Sequence, residues 1–339
     1  MDLPFLKQLS EASGVPGREE RIRELLSPKF DAVFDDVSVD VMGSLVGVKR
    51  NEGKPKVLFA CHIDEIGFYV RHIDDKGFLR VQNAGGFDTR NLLARRVTVL
   101  AKDGDLPAVM NPGGRPIHIA KDEDKKKIPE IGDFIVDLGL PGEEVKKRVR
   151  IGDPVTLWQE FFELGNSVTG KCMDNRVAAW VVLEALKKTP DPAYEVILAA
   201  TVQEEVGLRG AGPAAYNAEP DLAVALDTTL CVDTPGVPDE ERVTQQGACV
   251  ALKILDSASI SHRGLLDEFA AVGDKHDIKY QFSVLPRGGT DAGAIQRNRG
   301  GVKTITLAVP TRYIHTVTET IHKEDLQSAI DLIAAWLKG

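Results

Sequence analysis

Cysteine is scarce: 339 residues contain only Cys61, Cys172, Cys231 and Cys249, and no two of them form a CxxC pair. They stand far apart in apolar or mixed surroundings, a spacing that argues against a disulfide framework. We therefore expect reduced cysteines that serve as packing residues, as in a cytoplasmic protein.

Long apolar runs and an excess of basic residues are also missing. The longest unbroken apolar run, residues 177–183, is far shorter than the roughly 18 residues that a membrane-spanning helix needs. Residues 1–14 show neither an apolar signal core nor an arginine-rich transit pattern, so we expect no targeting segment and a cytoplasmic location. With 42 Lys+Arg against 51 Asp+Glu, the net charge of −9 argues against a nucleic-acid partner.

What is present resembles an ordinary globular chain, with 43% hydrophobic and 27% charged residues. Residues 67–165 differ from the rest of the chain in their pattern of apolar, polar and turn-forming residues. Residues 67–165 contain short alternating runs separated by Gly, Pro and Asp, typical of a small antiparallel barrel or sandwich. The predicted strands of this region are 77–81, 96–100, 116–120, 134–137 and 155–157.

On both sides of this region, helical and apolar strand patterns alternate, which predicts an α/β fold: a mixed sheet flanked by helices. We predict a discontinuous catalytic domain, residues 1–66 and 166–339, interrupted by a β-rich insertion, residues 67–165. Its predicted helices are 3–12, 18–26, 177–187, 265–275 and 323–338, and its predicted strands are 37–41, 44–48, 57–61, 195–201, 222–226, 250–254, 280–284 and 304–309.

Acidic residues and histidines recur where the apolar strands end, which is where ligands of open α/β sheets bind. His62 and Asp64 follow one strand, Glu204 and Glu205 a second, and Asp227 a third. His315 follows the strand predicted at 304–309, and Asp174 precedes a predicted helix. Each has a simpler explanation: His62 as a buried, hydrogen-bonded histidine, Asp174 as a helix N-cap, and the glutamates as an exposed acidic turn.

A shared metal centre would explain all of these positions together, since isolated carboxylates at the edge of a core are costly to desolvate. Imidazole and carboxylate without thiolate suit zinc, cobalt or manganese. Five candidate ligands are too many for one tetrahedral zinc, but they fit two metals about 3.5–4 Å apart with a bridging carboxylate. One carboxylate is then left over as a general base; the residues alone do not say which glutamate it is.

Six segments in this order and spacing resemble the dinuclear-metal aminopeptidases of the glutamyl and tetrahedral (TET) group, some of which are named endoglucanases. The segments are CHIDEIG, GKCMDNR, QEEVGLRGA, ALDTT, GGTDAGA and RYIHT.

The resemblance implies a role for each position. His62 and Asp227 would hold one metal, Glu205 and His315 the other, and Asp174 would bridge them. Glu204 would be the general base, and Asp64 would buttress His62. A cis peptide bond after Asp174 is also implied. In GGTDAGA we expect Thr290 or Asp291 to cap a short helix rather than to take part in chemistry.

The predicted function is that of a zinc- or cobalt-dependent aminopeptidase acting on peptides. The resemblance further implies dimers formed through the insertion and assembled into a dodecamer. The alternatives are an endoglucanase, a carboxypeptidase or deacetylase on the same two-metal fold, and a non-catalytic scaffold. The sequence does not reveal which N-terminal residue is cleaved.

Overall fold

The computed structural model describes residues 1–339 apart from the side chain of Asp124. No helix in the described part of the chain is both long and apolar enough to cross a membrane. The helices are α1 (Leu3–Glu11), α2 (Glu20–Asp31), α3 (Gly142–Arg148), α4 (Met173–Lys188), α5 (Ala211–Ala218), α6 (Arg263–Lys275), α7 (Ala292–Ile295) and α8 (Lys323–Trp336).

The strands form a mixed sheet, a closed barrel and a small three-stranded sheet. They are β1 (Asp36–Val39), β2 (Leu45–Lys49), β3 (Lys56–His62), β4 (Gly67–Ile73), β5 (Leu79–Ala84), β6 (Arg95–Ala101), β7 (Gly104–Pro112), β8 (Phe134–Asp137), β9 (Pro154–Leu157), β10 (Phe162–Leu164), β11 (Ser167–Gly170), β12 (Glu195–Thr201), β13 (Leu222–Leu230), β14 (Val250–Leu255), β15 (Tyr280–Val284), β16 (Lys303–Thr311) and β17 (Glu319–His322).

The mixed sheet has eight strands in the order β1-β2-β12-β3-β13-β16-β14-β15. Its centre is parallel, and its strands are almost wholly buried because helices cover both faces. Side chains of β3 alternate between these faces: Phe59 packs with Trp180 and Trp336, while Leu58 and Ala60 pack with α5 and Ile295 of α7. The predicted fold class is confirmed.

The barrel consists of β4-β5-β8-β7-β6-β9 around its own apolar core. Strand β7 shows the expected alternation, with Leu106, Ala108 and Met110 inward and their neighbours more exposed. The predicted strand at 116–120 is wrong: Ile117–Ile119 forms a 3₁₀ turn. Ile117 and Ile119 are 61% and 68% exposed, so this apolar pair faces away from the core and lacks the burial that would favour a strand.

The centre of the sheet brings the ends of several strands to one edge. Thr201, the last residue of β12, pairs with His62, the last residue of β3. Asp227 on β13 pairs with Ala308 on the next parallel strand, β16. The candidate site therefore lies at the carboxyl ends of these strands.

Candidate metal centre

His62 lies at the end of β3 with its side chain almost completely buried. Its Nδ1 is 3.2 Å from the backbone oxygen of Asp64 and 3.6 Å from Asp64 Oδ1, so the backbone oxygen is the nearer acceptor. Its Nε2 points toward three carboxylates. It is 3.2 Å from Asp174 Oδ1 and 3.8 Å from both Glu204 Oε2 and Asp227 Oδ1.

Asp174 lies between the two histidines. While Oδ1 faces His62, Oδ2 is 3.5 Å from His315 Nε2. Its carboxylate accepts no hydrogen bond from a helix amide among the described residues, so the N-cap interpretation is not supported. Asp174 and Asn175 have non-helical backbone angles, and the peptide bond between them is cis, as expected from the resemblance.

Glu204 and Glu205 follow β12, which ends at Thr201. The chain turns immediately after them, with a hydrogen bond from Gly207 N to Glu204 O and a φ of +124° at Gly207. This turn allows both carboxylates to reach one site, since adjacent residues of a regular strand would face opposite ways. Glu204 approaches His62, and Glu205 Oε1 is 3.3 Å from His315 Nε2.

The buried carboxylate of Asp64 fixes this turn by accepting hydrogen bonds from its backbone amides. Its Oδ1 accepts a hydrogen bond from Glu204 N at 3.0 Å, and its Oδ2 accepts one from Glu205 N at 3.1 Å. Asp64 therefore contacts the backbone of both glutamates as well as the ring of His62.

Two groups of side chains offer ligand atoms within 4.8 Å of one another. One consists of His62, Glu204 and Asp227, and the other of His62, Asp174 and Glu205. His315 adjoins the second group through its contacts with Asp174 and Glu205. All seven residues selected from the sequence thus meet in one place, but this geometry alone does not separate the ligating glutamate from the base.

The electrostatics of this cluster are dominated by buried negative charge. Burial raises the pKa of Asp227 to about 8 and also raises the pKa values of Glu204 and Glu205. Burial opposes the charged form of His315 as well, but hydrogen bonds to Asp174 and Glu205 raise its pKa to about 12. Burial alone would raise the pKa of Asp174, but its hydrogen bonds to His315 and His62 outweigh this effect and lower the pKa.

Divalent cations fit this donor set. Four carboxylates converge with two imidazoles, those of Asp174, Glu204, Glu205 and Asp227 with His62 and His315, and the histidines cannot neutralise all of them. Oxygen and imidazole nitrogen are the ligands that zinc and its neighbours accept. Asp174, with one oxygen toward each histidine, occupies the position that a bridging ligand would take.

The cluster forms the floor of a cavity of about 510 Å³. Its remaining wall includes Leu208, Leu230 and Lys253, together with the Gly288–Gly289 loop. A larger cavity of about 910 Å³, lined by barrel residues and the end of α1, includes none of the cluster residues. The smaller cavity is therefore the one that offers room for a substrate at the carboxylates.

Glu319 was missed from the sequence. Its buried carboxylate accepts hydrogen bonds from Asp174 N at 2.9 Å and from His315 N at 2.8 Å. Burial and the nearby charge of Asp174 raise its pKa to about 8. Because it alternates with threonines in residues 316–320, nothing in its local pattern distinguishes it from a solvent-facing strand residue.

A buried ion cluster behind the site was also missed. Glu65 pairs with Lys171 at 2.7 Å and with Arg176 at 3.1 Å. Lys171 Nζ also donates to the backbone oxygen of Ala12, and Arg176 Nη1 donates to that of Leu9. These contacts join the first helix to the two segments that carry His62 and Asp174.

The expected capping role of Thr290 and Asp291 is wrong. Asp291 stands at the N-cap position of α7 but makes no capping hydrogen bond with its side chain. Its Oδ2 instead accepts a hydrogen bond from Thr201 Oγ1, and Thr290 Oγ1 lies 3.2 Å from Thr306 Oγ1. Both side chains are buried against neighbouring strands, where these hydrogen bonds replace a cap.

Comparisons with known proteins agree with the six sequence segments. The chain matches the M42 glutamyl aminopeptidase family over residues 43–332. It is 30% identical to the lysyl aminopeptidase of Pyrococcus furiosus over 348 aligned residues, which cover 100% of this chain and 97% of that protein.

Two solved structures share the fold over nearly the whole chain. An aminopeptidase from Desulfurococcus kamchatkensis is 37% identical with a TM-score of 0.94, covering 99% of this chain and 94% of that one. The TET1 peptidase of Pyrococcus horikoshii is 33% identical with a TM-score of 0.88, covering 99% and 98%, and it can assemble into a tetrahedron or a large octahedral shell. The resemblance is confirmed, and the chain is a peptidase that belongs to the M42 glutamyl aminopeptidase family.

Proposed function

We propose that this peptidase is an aminopeptidase that removes N-terminal residues from peptides at a two-metal centre. The observation that carries the proposal is the position of Asp174, whose two carboxylate oxygens face His62 and His315 separately. His62 and Asp227 would hold one metal, Glu205 and His315 the other, and Asp174 both. When bound, the metals would polarise the peptide carbonyl group and lower the pKa of the attacking water.

Glu204 is our candidate for the general base. It lies 3.8 Å from His62 and has no side-chain hydrogen bond to another described residue, which leaves its carboxylate available to the cavity. Burial raises its pKa, which favours a group that takes a proton from water and passes it to the leaving amine. Asp64 would position this base and its neighbour by holding their backbone amides.

We also propose a homo-oligomer, a dodecamer built from dimers, that works in the cytoplasm without a membrane or nucleic-acid partner. The barrel supports association because several of its large apolar side chains lie exposed. These are Val109, Ile117, Ile119, Ile128, Ile151 and Trp158, with exposed fractions from 42% to 68%. Contiguous apolar patches commonly mark protein interfaces, and Val109 and Trp158 line one shared cavity. The TET1 relative can assemble into closed shells.

A chelator experiment tests the reaction class. The purified protein would be assayed on leucine, glutamate and lysine p-nitroanilides, on N-acetyl-leucine and on a soluble β-glucan, before and after EDTA treatment. We expect hydrolysis of one or more p-nitroanilides, its loss with EDTA, and its recovery with zinc or cobalt. Hydrolysis of the N-acetyl compound alone would indicate a deacetylase. Glucan hydrolysis that survives EDTA would indicate a glycosidase, which needs two carboxylates and no metal.

A further inference from the structure

Glu19 is a buried carboxylate that joins the N-terminal segment to the turn after β12. It stands at the N-cap position of α2 but does not cap that helix with its side chain, and it is only 3% exposed. Its Oε1 accepts two hydrogen bonds, from Gly17 N at 2.7 Å and from Gln203 N at 3.2 Å. Burial raises its pKa to about 7, and no cation among the described residues offsets this effect. Because burying an unpaired carboxylate is costly, its two hydrogen bonds are what the fold gains from it.

The segment that Glu19 contacts leads directly into the two adjacent glutamates. Glu204 N and Glu205 N both donate to Asp64, and the amide before them, that of Gln203, donates to Glu19. Gln203 has a φ of +57°, a left-handed conformation that few residues other than glycine adopt. Such a conformation persists only where the surrounding structure holds it, and Glu19 supplies one of the contacts that do so.

The carboxylate of Glu204 depends on this backbone for its direction. Its side chain makes no hydrogen bond to another described residue, whereas Glu205 Oε1 is 3.3 Å from His315 Nε2. The turn itself therefore aims the Glu204 side chain into the cavity. A shift of the left-handed residue just before it would displace Glu204 more than Glu205, which has a side-chain partner.

We propose that Glu19 is a positioning residue: by accepting the hydrogen bond from Gln203 N, it holds the turn in the conformation that directs Glu204 toward the substrate. The inference rests on the proposed function, in which Glu204 is the general base. Glu19 would hold the residue that enters the turn, and Asp64 the two amides that follow. Because both hydrogen bonds to Glu19 end on one oxygen, the role requires an acceptor at that point and not a negative charge.

Two substitutions at Glu19 separate the acceptor from the charge. Glu19→Gln keeps a carbonyl oxygen with two lone pairs, so kcat on the p-nitroanilides should stay within about three-fold of the wild type. Glu19→Met removes the acceptor at similar length, and kcat should fall about 10- to 100-fold, as for a catalytic group that is slightly misplaced. KM and metal content should change little, because Glu19 does not line the cavity. Glu20→Met, the same change at an exposed neighbour, is the control and should match the wild type.

Hydrogen exchange of the turn gives a readout that does not depend on activity. Backbone amides of residues 202–206 should exchange faster in Glu19→Met than in the wild type or in Glu19→Gln, because Gln203 N has lost its acceptor. If Glu19→Met does not fold, Glu19→Asp takes its place. That variant retains the charge but withdraws the acceptor by one methylene group, so it should show the same loss of kcat and the same faster exchange.

Four results would each overturn the proposal. They are an unchanged kcat in the variant without the acceptor, equal losses in that variant and in Glu19→Gln, a loss of metal, and unchanged exchange of residues 202–206. If the wild type cleaves no p-nitroanilide, the aminopeptidase function itself has failed, and the exchange experiment still reports whether Glu19 holds the turn.

Discussion

Glu319 holds Asp174 by the backbone: its carboxylate accepts a hydrogen bond from Asp174 N at 2.9 Å. Through its other oxygen the same carboxylate accepts one from His315 N. The single buried side chain of Glu319 therefore fixes the backbone positions of both Asp174 and His315. These two residues are distant in sequence, and the proposed mechanism assigns both to one metal.

The first prediction follows from this arrangement. In Glu319→Gln the amide NH₂ faces a backbone N–H where an oxygen accepted before, so Asp174 or His315 should lose its position. We expect metal affinity and kcat/KM to fall about 10- to 100-fold, as is usual for groups that orient metal ligands. Metal content after dialysis and p-nitroanilide kinetics measure both. Glu324→Gln, an exposed change on α8, is the matched control and should be silent; equal behaviour of the two variants would contradict the prediction.

The adjacent glutamates should respond differently to the same substitution. Glu204→Gln should abolish turnover, by at least about 100-fold, with both metals retained, because an amide preserves shape but accepts no proton. Glu205→Gln should weaken one metal, since a neutral oxygen replaces an anionic ligand, and excess metal should partly restore activity.

Metal analysis and turnover on both variants decide the assignment. If Glu204→Gln loses a metal while Glu205→Gln keeps two and is inert, the two roles are exchanged. If both variants keep full activity, the active site lies elsewhere.

The pH dependence of stability should reveal the unbalanced charge of the metal-free site. The pKa of Asp227 is raised to about 8, well above the value near 4 of an unfolded aspartate. The corresponding stabilisation is complete below pH 4 and is lost as pH rises through about 8. The raised pKa of His315 acts in the same direction above its unfolded value of about 6.5.

We therefore expect the Tm of the EDTA-treated protein to fall between pH 5 and pH 9. Metal affinity should rise over the same interval, because bound metal replaces protons on the ligands. Thermal unfolding with EDTA and with added zinc or cobalt at each pH measures both trends. A Tm of the EDTA-treated protein that rises toward pH 9 would contradict this account.

Association through the barrel predicts that charges on its exposed apolar turn dissociate the oligomer. The double variant Ile117→Asp with Ile119→Asp places two carboxylates where apolar side chains would meet a partner. Light scattering should show a smaller particle than the wild type. Val41→Asp, at a fully exposed apolar position outside the barrel, is the control and should keep the wild-type size. Loss of assembly in the control as well would point away from the barrel.

A strand is predicted well from the sequence where its pattern of apolar and polar residues follows which side chains are buried. The predicted strands 134–137, 195–201 and 280–284 match β8, β12 and β15 residue for residue. Strand β7 was missed because it contains two prolines and an outward-facing Val109, so apolar and polar residues do not alternate in its sequence even though burial does. Strand β4 was missed because it begins with adjacent apolar and aromatic residues, and polar residues follow them near its end. In segment 116–120 apolar and other residues alternate as in a strand, but the two isoleucines are exposed and pack against no core.

The sequence predicted the residues of the candidate site itself but not the buried residues that position them. His62 ends β3 and the two glutamates follow β12, as predicted, and the sheet topology brings them together. Asp227 lies inside β13, which continues past the predicted end at 226 to Leu230. Glu319 depends on contacts with distant segments, those of Asp174 and His315, which no local pattern encodes.

The ion cluster of Glu65, Lys171 and Arg176 has a consequence for handling the protein. Its two cations, Lys171 and Arg176, donate hydrogen bonds to the backbone oxygens of Ala12 and Leu9. The end of the first helix therefore supplies acceptors that these buried charges need. Trimming the chain past this helix would strand buried charges next to the segments that carry His62 and Asp174, and we expect activity to disappear before the fold does. Affinity tags and fusions should therefore be attached through a spacer that leaves residues 1–14 undisturbed.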